Sequence, residues 1–242
     1  MQGFYETLFG RRDVRGEFKP APIPEDILAR LIIAAHHAPS VGLSQPWNFI
    51  VIQRPQVKVA IHEAFCEAND EAAALFEGER QDRYRQLKLQ GILDAPVNLC
   101  ITCDRQRGGD VVLGRTHQPQ MDIYSTVCAV QNLWLAARAE DIGVGWVSII
   151  SPEKLGAILG LPDHVVPIAY LCLGYVEYFR QRPELEEKGW ENRRPADELV
   201  FTDQWGERGN DHPVYNGLQS QRYWPQQFLQ ENGPADKSEG EL

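Results

Sequence analysis

The strongest helical pattern in the sequence, from Asp122 to Glu140, limits the folds that this chain can adopt. Apolar residues recur along it at helical spacing and form a wide, alanine-rich face. They are Ile123, Val127, Val130, Leu133, Trp134 and Ala137. A helix with so wide an apolar face is buried on more than one side, so we expect it at the centre of a domain or at a dimer interface. We expect Gly143 to end it.

Helical patterns alternate with short apolar runs that predict strands. The helices are predicted from Pro24, over residues 56–76 and from Ser151 to Gly160; the strands are predicted over residues 47–53, 97–103, 144–150 and 167–175. This alternation indicates an α/β or α+β sandwich in which helices cover most of the sheet. We expect one domain over residues 1–206 and a polar C-terminal extension over residues 207–242, disordered over 231–242.

Composition excludes several classes of partner. A net charge of −10 argues against a surface for nucleic acid or anionic membrane. No apolar run approaches the roughly 18 residues of a membrane helix, and the first residues lack the pattern of a signal peptide. Five cysteines, an odd number, suit a reducing cytoplasm. Cys100 and Cys103 fall in a predicted buried strand and on opposite faces, which argues against a metal or redox pair. We expect no metal site.

Basic residues cluster near the N-terminus of this acidic chain. Arg11, Arg12 and Arg15 stand within five residues and enclose Asp13. Guanidinium groups bind phosphate through bidentate, charge-assisted hydrogen bonds, so this arginine segment (residues 11–15) is a candidate anion site. Asp13 either holds the arginines in place or faces the ligand that carries the phosphate.

Residues 39–47 form a second candidate, a loop of small and turn-forming residues between a helix and a strand. Gly42 allows the backbone to approach a ligand closely, and Ser40 and Ser44 supply hydrogen-bonding groups. A plain turn is the alternative. Residues 104–120 lack periodicity and contain a glycine pair, so they form either a lid over a site or a disordered loop.

Three motifs resemble those of the nitroreductase superfamily of FMN proteins. They are Arg-Arg-x-x-Arg at 11–15, Pro-Ser-x-x-x-Ser-Gln-Pro-Trp at 39–47, and Gly-x-Gly-Trp at 143–146. The resemblance runs from about residue 6 to about residue 202 in the family's motif order. It implies an α+β fold and a homodimer in which both subunits build each FMN site. It also implies that the arginine segment and a late basic residue, Arg193 or Arg194, bind the phosphate.

Within that superfamily the chain is similar to the 5,6-dimethylbenzimidazole synthase branch. The similarity lies in residues 11–15, in Gly42-Leu43 and in residues 133–148. Ordinary nitroreductases usually have a small residue in place of Asp13 and an asparagine in place of Leu43. The resemblance implies Asp13 and Ser148 as catalytic groups, and Ser40, Gly42, Leu43 and Ser44 as flavin-binding residues.

The same resemblance implies the reaction and its partners. Reduced FMN is consumed as a substrate with O2, which yields 5,6-dimethylbenzimidazole and erythrose 4-phosphate, and a separate NAD(P)H flavin reductase supplies the reduced FMN. Two alternatives remain. One is an FMN-dependent reductase of nitro, quinone or halogenated compounds, and the other is a non-catalytic flavin-binding protein.

Overall fold

The computed structural model describes residues 3–208 and 212–232, which fall into two compact units. One unit comprises Arg11–Arg180, and the other joins the residues up to Gly10 with those from Gln181 onward. In chain order the helices and strands are α1 (Phe4–Gly10), α2 (Glu25–His36), β1 (Trp47–Ile52), α3 (Pro55–Ala73), α4 (Gly78–Arg85), β2 (Val97–Asp104), α5 (Met121–Ala139), β3 (Ile142–Val147), α6 (Pro152–Leu159), β4 (Val165–Tyr175), α7 (Glu184–Glu187), α8 (Pro213–Ser220) and α9 (Trp224–Asn232). Short 3-10 helices lie at Val41–Leu43 and Ala196–Glu198.

The first unit is built on a sheet in the order β1-β2-β4-β3, in which all neighbours are antiparallel. Consecutive residues of a strand point to opposite faces, and they supply two separate cores. Leu99 packs with α2 and α5 in one core, whereas Cys100 packs with α3 and α6 in the other. Helices therefore cover both faces, and the predicted α+β fold is confirmed.

Helix α5 lies at the centre of the first unit, as its sequence predicts. Leu133 and Ala137 are fully buried, and the helix contacts α2 and all four strands of the sheet. Part of the helix surface is not buried: the apolar side chains of Tyr124 and Val127 are exposed.

The expectation that Gly143 ends this helix is wrong. Helix α5 ends at Ala139, Asp141 adopts the left-handed conformation with φ 57°, and Gly143 lies inside β3. Aspartate tolerates this conformation because its short side chain bonds to nearby backbone. Strand β3 therefore begins at Ile142 and ends at Val147, so Ser148 follows the strand and does not lie in it.

The prediction that Cys100 and Cys103 lie in a buried strand and point to opposite faces is confirmed. Cys100 belongs to the core under α3, while Cys103 contacts Thr126 of α5 on the other face. Burial raises the pKa of the Cys100 thiol to about 12, which keeps it protonated and unreactive.

Two further observations concern the described residues only. Among them, no helix is both long enough and apolar enough to cross a membrane. The predicted disorder of residues 231–242 lies mostly outside the described residues, and within them Glu231 belongs to α9. The domain boundary at residue 206 stays a prediction.

Candidate functional site

The arginine segment lies along the free edge of β3. The backbone N–H of Val14 donates to the Val144 carbonyl at 3.0 Å, and Asp13 forms a parallel bridge with Val144. Two residues further along the strand, the Trp146 N–H donates to Asp13 Oδ1 at 2.9 Å. A side-chain carboxylate therefore takes an acceptor position beside the strand, and the fold fixes its orientation.

Two glycines of β3 make this close approach possible. A Cβ on Gly145 would lie 2.0 Å from the Val14 carbonyl oxygen, and one on Gly143 would lie 3.0 Å from Val14 Cγ2 and 2.4 Å from Val176 Cγ1. Real Cβ atoms do not approach other atoms so closely. The Gly-x-Gly motif thus serves the packing of the N-terminal segment against the strand.

The second oxygen of Asp13 binds Arg15. Arg15 Nε donates to Asp13 Oδ2 at 2.9 Å, and Arg15 Nη2 lies 2.6 Å from the same oxygen. The Asp13 side chain remains 28% exposed. Both carboxylate oxygens therefore have protein partners, and Oδ1, with one donor, keeps a further lone pair for a ligand.

Trp134 of α5 holds the other two arginines. Its indole Nε1 donates to the Arg12 carbonyl at 3.2 Å, and the Arg11 guanidinium stacks over its ring at 4.7 Å from the centroid. Arg12 Nη1 donates to the Arg11 carbonyl at 2.7 Å. The segment is therefore fixed to the central helix as well as to β3.

A partly buried ion pair follows the arginine segment. Glu17 Oε1 lies 2.6 Å from Arg180 Nη2, and the Gly16 N–H donates to Glu17 Oε2 at 3.1 Å. Burial raises the pKa of the Glu17 carboxyl, but hydrogen bonds from Gly16 and Arg180 outweigh it and leave that pKa below its ordinary value. Glu17 therefore stays charged at neutral pH.

The loop from Ser40 to Gln45 has an uncommon backbone conformation. Gly42, Leu43 and Gln45 have φ angles of 54°, 50° and 47°. Ser40 Oγ accepts from the Gln45 N–H at 3.0 Å, and the Val41 N–H donates to Ser125 Oγ of α5 at 3.1 Å. These bonds hold two non-glycine residues in the left-handed region, where sequence alone does not place them.

Leu43 and Ser44 of this loop differ in the exposure of their side chains. The Leu43 side chain is 75% exposed. Ser44 Oγ is buried and has no hydrogen-bond partner within the part of the chain that the structure describes. A buried hydroxyl of this kind normally has a partner, so Ser44 fits a residue that bonds to a bound ligand.

Residues 104–120, which the sequence predicts to be either a lid or a disordered loop, pack on the Ser40–Gln45 loop. Arg107 donates to the Gln45 and Trp47 carbonyls at 3.2 and 3.3 Å and to Asn48 Oδ1 at 2.6 Å. A Cβ on Gly42 would lie 2.9 Å from Val112 Cγ1. This segment therefore fixes the loop from one side.

The segment is itself tied to α5 through a buried carboxylate. Asp122 is fully buried, and its Oδ2 lies 3.0 Å from Arg105 Nε and 3.2 Å from Arg115 Nη1. The sequence shows these arginines scattered in an aperiodic stretch and does not reveal that two of them converge on one aspartate.

Three predicted site residues, Ser148, Arg193 and Arg194, have no contact with the arginine segment or the Ser40–Gln45 loop among the hydrogen bonds and ion pairs described above. Ser148 is exposed and directly follows β3, two residues after Trp146, whose amide binds Asp13. Arg193 and Arg194 are exposed in the second unit. The roles of these three residues stay predictions. Among the described residues, no cluster of three or more His, Cys, Asp or Glu side chains could hold a metal ion.

The Nitroreductase family model matches residues 8–175, so this chain belongs to the nitroreductase family. A relative from Rhodospirillum rubrum, named 5,6-dimethylbenzimidazole synthase, is 44% identical over 185 residues, which cover 76% of this chain and 87% of the relative. Two solved structures share the fold. A BluB-like flavoprotein from Clostridium difficile 630 has a TM-score of 0.64 at 20% identity and covers 84% of this chain and 100% of its own. An iodotyrosine deiodinase bound to FMN and 3-iodo-L-tyrosine has a TM-score of 0.65 at 17% identity. The match covers 85% of this chain and 100% of the deiodinase chain.

Proposed function

We propose that this chain is an oxidoreductase that consumes reduced FMN and O2 and releases 5,6-dimethylbenzimidazole, the lower ligand of cobalamin, and erythrose 4-phosphate. The observation that carries the proposal is the Asp13 carboxylate, fixed by the Trp146 amide among three arginines. The Rhodospirillum relative named for this activity supports it, at 44% identity over most of the chain.

The binding part of the proposal uses the arginine segment and the Ser40–Gln45 loop. Arg11, Arg12 and Arg15 bind the FMN phosphate by charge-assisted hydrogen bonds. Ser40, Gly42 and Ser44 contact the flavin through hydroxyl groups and a close backbone approach, and the buried Ser44 Oγ is available for such a bond. Arg193 or Arg194 adds a late phosphate contact.

Leu43 gives the site an apolar wall where ordinary nitroreductases usually carry an asparagine. An exposed leucine side chain cannot hydrogen-bond the flavin, and it keeps water away from a bound ring. Such a wall suits a protein that holds flavin and oxygen and excludes a nicotinamide. We therefore infer that reducing equivalents come from a separate NAD(P)H flavin reductase.

The chemical part of the proposal needs proton transfer from the protein. Reduced flavin, when bound, supplies the electrons that activate oxygen. Asp13 moves a proton near the ribityl C1′ and N10 atoms as a general base or acid. Its orientation is fixed by Trp146 and Arg15, so the protein does not reorganise this group during the reaction. Ser148 donates a hydrogen bond near the reacting edge of the ring.

We also propose that the protein is a homodimer, with the FMN site between the subunits. The exposed Tyr124 and Val127 of α5 support this, because exposed apolar side chains on a largely buried central helix suit a subunit interface. The described cysteines are free thiols, which suits a reducing compartment, so we propose the cytoplasm as its location.

One experiment separates the proposed reaction from its two alternatives. The protein is incubated with FMN, a separate flavin reductase, NADH and air, and the products are separated by chromatography. We expect 5,6-dimethylbenzimidazole to appear as FMN is lost. NAD(P)H turnover with an added nitroaromatic and intact FMN would instead identify a reductase, and bound, unchanged flavin would identify a binding protein.

A further inference from the structure

Trp134 of α5 contacts the arginine segment in two ways. Its indole Nε1 donates to the backbone carbonyl of Arg12 at 3.2 Å, so it fixes the main chain of the segment. The guanidinium carbon of Arg11 lies 4.7 Å from the centroid of the same ring, within the range of a cation–π contact. Trp134 is 8% exposed and belongs to the core that α5 forms with the sheet, so the ring is itself held by close packing.

The two contacts spare the hydrogen-bond donors of the arginine side chains. A cation–π contact engages the face of a guanidinium group, whereas its five N–H donors lie in the plane of the group. The bond from Trp134 to Arg12 engages the backbone carbonyl and not the side chain. Trp134 therefore orients both arginines without engaging a donor that a phosphate would accept from.

The charge of the segment favours a neutral partner at this position. Three arginines and one aspartate give the arginine segment a net charge of +2. A phosphate monoester carries a charge of about −2 at neutral pH, so the two charges are complementary. A second carboxylate would hold another arginine, as Asp13 holds Arg15, but it would cancel part of the positive charge. The neutral indole of Trp134 holds two arginines and leaves that charge intact.

We propose that Trp134 is a positioning residue that gives the site its preference for a flavin with a phosphate over a flavin without one. It restricts Arg11 and Arg12 before FMN binds, whereas Arg15 is restricted by Asp13. Groups that are ordered in advance lose less conformational entropy when they bind. The inference rests on the proposed function, because it assumes that these arginines bind the FMN phosphate. All the residues that carry it lie in the first unit.

The test compares FMN with riboflavin, which lacks the phosphate. Their dissociation constants are measured with the oxidised flavins, by quenching of flavin fluorescence, for the full chain and for Trp134→Leu. This variant loses both the indole N–H and the ring, so we expect the Kd for FMN to rise about tenfold. The Kd for riboflavin should change less than about twofold, because riboflavin brings no phosphate to the arginines. The ratio of the riboflavin Kd to the FMN Kd should therefore fall, whereas a merely structural role would weaken both flavins alike.

Trp134→Phe separates the two contacts. Phenylalanine keeps an aromatic face for Arg11 but has no N–H to donate to the Arg12 carbonyl. We expect the Kd for FMN to rise about threefold, between the values of the full chain and Trp134→Leu. Phenylalanine also leaves a smaller cavity than leucine does, so this variant decides the question if Trp134→Leu does not fold.

Leu133→Ala is the matched control for the loss of core packing. Leu133 precedes Trp134 on α5 and is fully buried in the same core, but it has no polar or aromatic group that could hold an arginine. Its truncation leaves a cavity and should lower the free energy of unfolding, as the Trp134 substitutions do. We expect the ratio of the two dissociation constants to stay unchanged. Urea denaturation measures the stability, and the flavin titrations measure the ratio.

An unchanged ratio in folded Trp134→Leu, or in Trp134→Phe if the leucine variant does not fold, would overturn the inference. So would a ratio that falls as far in Leu133→Ala, because core packing alone would then explain the effect. A full chain that prefers FMN over riboflavin but makes no 5,6-dimethylbenzimidazole would refute the proposed reaction and leave the positioning role intact. A full chain without any preference for FMN would refute the phosphate site itself, and the positioning role with it.

Discussion

At the scale of single residues, the structure shows one of the two roles that the sequence leaves open for Asp13, whereas the other, facing the ligand, stays a prediction. It pairs with Arg15, which is a structural role, and its other oxygen accepts from the Trp146 amide, a partner 133 positions away in the chain. No local pattern reveals a contact between residues so far apart. The arginines and the aspartate could therefore be recognised as candidates from sequence, whereas their arrangement could not.

Replacing Asp13 by asparagine tests its catalytic role. Asp13→Asn keeps the size of the side chain and an oxygen acceptor for Trp146, so we expect FMN to bind with a Kd within about threefold of the original. Without a carboxylate to move the proton, we expect product formation to fall by about 100-fold or more. Chromatographic assay of 5,6-dimethylbenzimidazole measures the effect. Asp163→Asn, at an exposed position, serves as the control, and a full yield from Asp13→Asn would disprove the assignment.

Gly145 is a second residue whose role, allowing the Val14 carbonyl to approach β3, only the structure reveals. Its β-carbon would lie 2.0 Å from a backbone oxygen, which cannot move as a flexible side chain can. We expect Gly145→Ala to lower the free energy of unfolding by about 1–3 kcal/mol, measured by urea denaturation. Gly156→Ala in α6, where the nearest atoms lie 4.0 Å away, should be neutral or stabilising. Equal effects of the two substitutions would contradict the steric explanation.

At the scale of elements, periodicity predicts most helices and strands because the sheet is covered on both faces and its strands are continuous apolar runs. It fails after α5, where the polar residue Asp141 supplies the left-handed turn that a glycine was expected to supply. The unusual conformation of the Ser40–Gln45 loop is equally invisible in sequence, because Ser125 of α5 and Arg107 hold it from outside.

The contact between Arg107 and this loop can be tested by truncation. Arg107→Ala removes hydrogen bonds to the carbonyls of Gln45 in the loop and Trp47 in β1, and to Asn48, so the loop should sample other conformations before FMN binds. We expect the Kd for FMN to rise about tenfold, measured by fluorescence titration. Arg85→Ala, an exposed position in the last turn of α4, should leave the Kd unchanged. A rise in both variants would indicate an effect of net charge instead.

At the scale of the whole molecule, the proposed dimer explains why a central helix exposes apolar side chains. Val127 of α5 is 38% exposed, close to the 46% of Val59 on α3, yet only Val127 lies on the proposed interface. The two positions therefore form a matched pair, in which the same substitution has different expected results.

We expect Val127→Asp to weaken the dimer by roughly 100-fold, because it would bury an unpaired charge between subunits. Sedimentation velocity at several concentrations measures the dissociation constant. Val59→Asp should keep the dimer, since that side chain would stay in water. If both variants remain dimeric at nanomolar concentration, the interface lies elsewhere on the molecule.

The backbone of Leu43 has a consequence for how such a sequence can evolve. A leucine with φ of 50° costs about 1 kcal/mol relative to a glycine in the same conformation. Selection for thermal stability alone would therefore favour glycine at position 43, and a library screened only for heat resistance should accumulate it. Because the proposed function needs the Leu43 side chain, a glycine at position 43 would raise stability and impair the site.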